Sequence, residues 1–91
     1  MEVLQTSSFR RAVKKLHGNQ KSDLDKAVKA IMKSPDVGED KVGDLAGISV
    51  YMFKMVKQLT LLAYCYEDEK IVLTLLALGS HENFYRDLKR S

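Results

Sequence analysis

The feature that most constrains the fold is a series of three apolar, β-prone segments in the second half of the chain. They are Ile48 to Met55, Gln58 to Tyr66 and Lys70 to Leu78. The joins between them, near Val56-Lys57 and Glu67-Asp68-Glu69, are so short that they predict consecutive hairpins and hence an antiparallel meander. Because the second and third segments are apolar on both faces, we expect a sheet that is covered on both sides.

The first third of the chain has a different periodicity. A short β-prone run, Met1 to Thr6, precedes Ser7-Ser8, whose hydroxyls can cap a helix beginning near Phe9. A second helix is predicted from about Asn19 to Lys33. Apolar residues recur at i, i+3, i+4 and i+7 in both: Phe9, Ala12, Val13 and Leu16, then Leu24, Ala27, Val28 and Ile31. Two amphipathic helices joined by a short turn predict an antiparallel hairpin that packs on the sheet.

The helix ends and the remaining segments complete the predicted order. Gly18 is expected to end the first helix in a left-handed conformation, and Ser34-Pro35 to stop the second. The acidic, glycine-containing stretch from Asp36 to Gly47 is expected to form a connection with little regular structure. His81 to Lys89 is predicted to form a short helix or turn. The fold class is therefore α+β, one domain over residues 1–91, in the order β-α-α-β-β-β-α.

Composition excludes several classes of protein. With 30% charged residues and no apolar run near the about 18 to 20 residues that cross a bilayer, the chain has no predicted membrane segment. The start, Met1-Glu2-Val3-Leu4, lacks the basic region and long apolar core of a secretory signal. We therefore expect a cytoplasmic protein.

The single cysteine, Cys65, lies in an apolar run and is expected to be a buried small hydrophobe rather than a nucleophile. With only His17 and His81 besides it, no cluster has the spacing of zinc ligands. The sequence therefore predicts neither a metal site nor a cofactor.

Charge is distributed unevenly along the chain. Residues 1–33 hold eight Lys and Arg against three Asp and Glu, whereas residues 34–70 hold four against seven. Four basic residues lie off the apolar stripe of the first helix: Arg10, Arg11, Lys14 and Lys15. This pattern is typical of a surface that faces a polyanion, and also of an ordinary solvated helix face.

Three local patterns, taken in order, resemble the RelE/ParE toxin superfamily over nearly the whole chain. Asp44-Leu45-Ala46-Gly47 is similar to the family's "L-x-G" motif before its second strand. Val50-Tyr51-Met52-Phe53-Lys54 is similar to its "vYkfk" strand. Leu78-Gly79-Ser80-His81-Glu82-Asn83-Phe84-Tyr85-Arg86 resembles its "vGhre-vY" ending and is the most specific of the three.

The resemblance implies a small antiparallel sheet packed on an N-terminal helical hairpin. It also implies a function: RelE-type toxins of type II toxin-antitoxin systems are ribosome-dependent endoribonucleases that cleave messenger RNA. The expected partners are a cognate antitoxin and messenger RNA on the ribosome, with operator DNA contacted only through the antitoxin complex.

Metal-independent RNA cleavage needs a group that takes the proton from the ribose 2′-OH, one that stabilises charge on the phosphate and one that protonates the leaving oxygen. His81 is the candidate for acid or base work because a histidine side chain ordinarily has a pKa near neutrality. Lys54, which the resemblance places at a phosphate-contacting position, and Arg86 are candidates for charge stabilisation, and Tyr85 for contacting the RNA. Glu82 and Lys57 are secondary candidates.

The sequence departs from the RelE pattern at two positions. Met52 stands where the family often has a second lysine, and Gln58-Leu59-Thr60-Leu61 lacks the arginine that the next strand often carries. Two alternatives therefore stay open. One is a ParE-like toxin that inhibits DNA gyrase by binding it, and the other is a catalytically inactive binding module of the same fold.

Overall fold

The computed structural model describes residues 1–80 and 84–85. Two α-helices and five strands follow one another in this part of the chain: β1 (Glu2–Gln5), α1 (Ser7–Lys14), α2 (Gly18–Lys33), β2 (Glu39–Asp40), β3 (Ser49–Met55), β4 (Gln58–Glu67) and β5 (Val72–Ser80). Within these residues, no helix is both long and apolar enough to cross a membrane.

The strands form one five-stranded sheet in the order β1-β5-β4-β3-β2. β3, β4 and β5 pair as the predicted antiparallel meander. β1, however, pairs in parallel with β5, Val3 lying opposite Leu73, so the sheet is mixed rather than purely antiparallel. This pairing joins segments about 70 residues apart, and no hairpin signal marks such a contact in the sequence. The α+β class and the helical hairpin on the sheet are confirmed.

The first helix begins at Ser7, two residues earlier than predicted. Thr6 is its N-cap residue: the Thr6 hydroxyl accepts a hydrogen bond from the Phe9 N–H at 3.2 Å and donates one to the Leu76 carbonyl at 2.6 Å. This one side chain therefore both caps α1 and joins it to β5.

The predicted role of Gly18 is wrong. α1 already ends at Lys14, and Gly18 is the first residue of α2, following His17 at the N-cap position. The His17 N–H donates to the Gln20 side chain at 2.8 Å, which satisfies one backbone donor at the start of α2. A glycine near a helix boundary marks the boundary but does not show on which side of it the residue lies.

The turn between β3 and β4 falls at the predicted residues, Val56 and Lys57. Both have positive φ, 49° and 70°. A two-residue hairpin turn needs this conformation to match the right-handed twist of its strands. Neither is a glycine, and for a branched side chain such as Val56 this conformation is strained. The Asp23 carboxylate of α2 accepts a hydrogen bond from the Val56 N–H at 2.8 Å and so holds the turn against the helical hairpin.

The connection from Asp36 to Gly47 has more structure than predicted. It contains two single-turn 3-10 helices, Pro35–Val37 and Gly43–Leu45, and the two-residue strand β2 between them. Tyr64 of β4, which is fully buried, anchors this connection. Its hydroxyl donates to the Pro35 carbonyl at 2.5 Å and accepts from the Gly38 N–H at 2.9 Å.

Both faces of the sheet bury apolar side chains, as the apolar strands predict. The helical hairpin covers one face, which we call the helix face, and buries its largest cluster there: Phe9, Leu24, Ile31, Met55, Leu62, Tyr64, Leu73 and Leu75. A smaller cluster on the other face, called the second face below, comprises Val50, Leu61, Ala63 and Phe84. Phe84 and Tyr85 are helical, and the rest of the helix predicted over His81 to Lys89 lies outside the described residues.

Candidate functional site

The predicted site residues of the meander lie where β3 ends at Met55, β4 begins at Gln58 and β5 ends at Ser80. We call this the site end of the sheet. Lys54 is exposed there on the second face and pairs with Leu59 of β4. Tyr51 points to the opposite, helix face, where its ring stacks on Phe53 with centroids 5.9 Å apart. The alternation of a β-strand thus separates the two residues, as the sequence predicts.

Lys54 lies beside exposed apolar side chains. Met52, two residues earlier on the same face, is 52% exposed, and Leu59 is 41% exposed. Met52 is one of the two departures from the RelE pattern, and Leu59 lies within the β4 segment that forms the other. The second face at the site end therefore offers the Lys54 ammonium on an apolar surface, an arrangement that can bind a phosphate from one side.

Lys57 lies in the β3–β4 turn and is exposed. Its position follows from the strained turn that Asp23 holds through Val56. The structure therefore brings Lys54 and Lys57 to the same end of the sheet.

Tyr85 shares the second face with Lys54 but lies towards the other end of β3. It packs beside the Val50 cluster, and its ring meets Phe84 edge to face at 5.3 Å. Val50 precedes Lys54 by four residues, which is about 13 Å along a strand. The structure thus places these two predicted site residues on one face without bringing them into contact.

Three other predicted residues, His81, Glu82 and Arg86, lie outside the part of the chain that the structure describes. Ser80, the residue before His81, ends β5 opposite Thr60. Leu59, the neighbour of Thr60 in β4, pairs with Lys54 of β3. The main chain therefore leaves the sheet at the same end that carries Lys54.

The four predicted RNA- or ribosome-binding residues are all exposed: Arg10, Arg11, Lys14 and Lys15 lie on α1 or directly after it. Arg11 donates a long hydrogen bond of 3.5 Å to the Ser8 hydroxyl. Since α1 covers the helix face, this basic surface lies on the opposite side of the sheet from Lys54. It reaches the site end at Lys15, which lines a pocket with Gln58 and Ser80.

Lys41 is a residue that the sequence reasoning missed. It follows β2 at the edge of the second face, where its ammonium lies 5.1 Å from the Tyr85 ring centroid and 3.4 Å from the Glu39 carboxylate. Contact with the Tyr85 hydroxyl raises the pKa of Lys41, while its partial burial lowers it and Glu39 adds a smaller increase. Lys41 therefore stays protonated at neutral pH and ties Tyr85 to the edge of the sheet. No periodicity in the acidic connection could have revealed this contact.

In residues 1–80 and 84–85, no group of three or more His, Cys, Asp or Glu side chains is placed to hold a metal ion. Cys65 is half-buried on β4.

Solved structures with the same fold include bacterial toxins and toxin-antitoxin complexes. A chain of the intact RelBE toxin-antitoxin complex of E. coli superposes with a TM-score of 0.71 at 21% identity, covering 89% of this chain and 96% of that one. A mutant of E. coli RelE in the free state superposes with a TM-score of 0.74 at 17% identity, covering 98% of this chain and 90% of that one. A YoeB/ParE toxin from Agrobacterium tumefaciens superposes with a TM-score of 0.70 at 15% identity, covering 89% of this chain and 99% of that one. At these identities the similarity shows the fold.

The sequence itself shows the family. The model of the ParE-like toxins of type II bacterial toxin-antitoxin systems matches residues 3–89. The chain belongs to this family, within the RelE/ParE superfamily that its motifs resemble. No curated protein sequence matches it.

Proposed function

We propose that this toxin is an endoribonuclease that cleaves messenger RNA on the ribosome through attack of the ribose 2′-OH, without a metal ion. The observation that carries the proposal is the position of Lys54. Its exposed ammonium lies at the end of the sheet where the chain continues from Ser80 into His81. RNA cleavage of this kind requires a cation and an acid-base group, and Lys54 supplies a cation at the end of the sheet from which the chain continues into His81.

The roles follow from the chemistry of each side chain. Lys54 stabilises the charge that develops on the phosphate, because a protonated lysine is a fixed positive charge at neutral pH. His81 transfers a proton to or from a ribose oxygen. Arg86 supplies a second cation, and Tyr85, held by Lys41, contacts the RNA from the edge of the same face. Lys57 and Glu82 are secondary contributors.

A cognate antitoxin is the proposed protein partner. Similar toxin folds occur in toxin-antitoxin complexes of Escherichia coli and Mycobacterium tuberculosis. The exposed apolar side chains Met52 and Leu59 around Lys54 offer a surface that an amphipathic segment can cover. Such a segment would also block access of RNA to Lys54, and operator DNA would be contacted only through the complex.

Translation of a defined message in a purified system tests the enzymatic activity. We expect cuts in phase with codons that the His81→Ala variant reduces by about 10² to 10⁴-fold. His17→Ala is the matched control, because His17 is exposed at the start of α2 and has no proposed role. Equal cleavage by the two variants would exclude His81 as the acid-base residue.

A second candidate function is inhibition of DNA gyrase, which the ParE-like description of the matched family favours. In this case the message stays intact, and gyrase-dependent DNA breaks appear whether or not His81 is present. If the assays show neither RNA cuts nor DNA breaks, the inactive binding module is the function that remains. The same two assays therefore separate all three functions.

A further inference from the structure

A pocket of about 290 Å³ lies on the helix face at the site end of the sheet. It forms where the C-terminal end of α1 meets the ends of β3, β4 and β5. Its walls are mainly apolar, with Ala12, Leu16, Met55 and Leu78 among the lining residues. Nothing in the proposed cleavage chemistry uses this pocket.

Three polar residues that line the pocket have complementary chemistry. Lys15 is an exposed cation, the Gln58 amide can both donate and accept a hydrogen bond, and the Ser80 hydroxyl can do the same. The Thr60 hydroxyl, which is buried, donates to the Gln58 carbonyl at 3.1 Å and holds the backbone of the wall. An anion and a planar ring with polar edges would find partners here.

The volume limits what can enter. Pockets for small ligands begin at about 300 Å³, so this one suits a single heterocyclic base and is too small for a helix of a protein partner. Apolar walls contact the faces of a base, and one lysine at the rim suits a single phosphate. A nucleotide combines these features.

The location connects the pocket with Lys54. The pocket residues Met55 and Gln58 form the ladder pair next to Lys54 and Leu59, one residue or about 3.3 Å along each strand. Lys54 points to the second face, whereas the pocket opens on the helix face. A single strand of RNA that passes over this end of the sheet can therefore contact both with successive nucleotides.

We propose that the pocket binds one nucleotide of single-stranded RNA next to the bond that is cleaved, with Lys15 on its phosphate and Gln58 and Ser80 on the edge of its base. The inference rests on the proposed endoribonuclease function and adds a residue-level source of sequence preference. It also gives a role to Gln58, which lies in the β4 segment that lacks the family's arginine.

The test begins with binding, which does not depend on cleavage. Each of the four ribonucleoside 5′-monophosphates is titrated into the free protein while the methyl signals of Leu16, Met55 and Leu78 are followed by NMR. We expect these signals to shift with at least one nucleotide. Lys15→Met should lower the affinity for that nucleotide roughly tenfold, as the loss of one charged hydrogen bond predicts. Lys26→Met, an exposed lysine of α2 away from the pocket, should leave its affinity unchanged.

The second measurement maps cleavage of a defined message by Gln58→Leu. We expect cutting to continue, with a changed base preference next to the cut. Because Lys15 and Gln58 are exposed, neither substitution endangers folding.

The outcomes separate the pocket from the proposed function. Two outcomes would overturn the proposed nucleotide binding even if RNA is cleaved. One is that inorganic phosphate shifts the same signals with the same affinity, and the other is that no nucleotide shifts them. Nucleotide binding that Lys15→Met weakens would support the pocket even if the translation assay shows no cuts. An unchanged cleavage map for Gln58→Leu would overturn its role in reading the base.

Discussion

The two ends of the same sheet differ in how their polar groups are used. At the end opposite the site, Tyr64 is fully buried and its hydroxyl bridges Pro35 and Gly38, while the Ser49 hydroxyl donates to Asp40 at 2.7 Å. A groove of about 660 Å³ beside them is acidic, with Asp36, Asp40 and Asp68 among its lining residues. At the site end, Lys54, Lys57 and Lys15 are exposed.

The difference separates groups that stabilise the fold from groups that the proposed function assigns to a ligand. A buried hydroxyl with two partners stabilises the fold because either partner left alone would be costly. An exposed lysine stabilises the fold little and stays available to a ligand. Substitutions at the opposite end should therefore change stability, and those at the site end should change activity.

The largest expected effect is on catalysis. Lys54→Met should lower the rate of message cleavage by about 10² to 10³-fold, as loss of a charge-stabilising group does. Its thermal unfolding should stay close to that of the wild type because Lys54 is exposed. Single-turnover cleavage kinetics measure the rate, and Lys70→Met, in the turn at the opposite end, is the control. A large loss of stability in Lys54→Met would contradict the division between the two ends.

The opposite end is tested by Tyr64→Phe. Removing the hydroxyl leaves the Gly38 N–H and the Pro35 carbonyl without this partner, and should lower the free energy of unfolding by about 1 to 3 kcal/mol. Urea denaturation measures this change. If the folded variant lost cleavage while keeping its stability, Tyr64 would belong to the site.

Tyr64 also predicts a pH dependence. Burial raises the pKa of Tyr64 above its ordinary value of 10.0, partly opposed by the hydrogen bond from Gly38. The unfolded chain therefore loses this proton first. The contribution of Tyr64 to stability is complete below pH 10.0 and decreases as the pH rises through its folded-state pKa. Denaturation of Tyr64→Phe over the same alkaline range should lack this part of the decrease.

A smaller effect is expected from the basic surface of α1. Arg11→Glu combined with Lys15→Glu should weaken binding to ribosomes several-fold at low salt and reduce the dependence of binding on salt. Sedimentation with purified ribosomes at several salt concentrations measures both. An unchanged salt response would show that this surface does not face the RNA.

The smallest effect is expected at the turn between β3 and β4. Asp23→Ala removes the acceptor of the Val56 N–H, and because this hydrogen bond is exposed the loss should be about 0.5 to 1.5 kcal/mol. Asp23→Asn keeps an acceptor oxygen and should lose less. If both variants were as stable as the wild type, the turn would not need α2 to hold it.

Local patterns were sufficient to predict much of the fold. The i, i+3, i+4, i+7 stripes identified α1 and α2, and the short joins identified the meander, because both depend on residues that are neighbours in the chain. The parallel pairing of β1 with β5, the strand β2 and the start of α2 at Gly18 were not predicted. Each depends on contacts between distant segments or on a boundary that composition does not define.

The candidate site divides in the same way. The alternation of side chains along β3 predicts that Lys54 and Tyr51 lie on opposite faces of the sheet, and the structure agrees. Tyr85 lies on the face of Lys54 but beside Lys41, a contact that no spacing in the sequence indicates. The roles of His81, Arg86 and Glu82 remain predictions from the motif.

By itself, the sequence determined the order of β1, the two helices and the β3-β4-β5 meander, the family and the basic surface of α1, because periodicity, turn residues and motifs are local properties. Only the tertiary structure decided that β1 closes the sheet beside β5, that Lys41 holds Tyr85, and that Lys15, Gln58 and Ser80 line one pocket. These residues are far apart in the chain, and they meet because burying both faces of one sheet brings its strand ends and the end of α1 together.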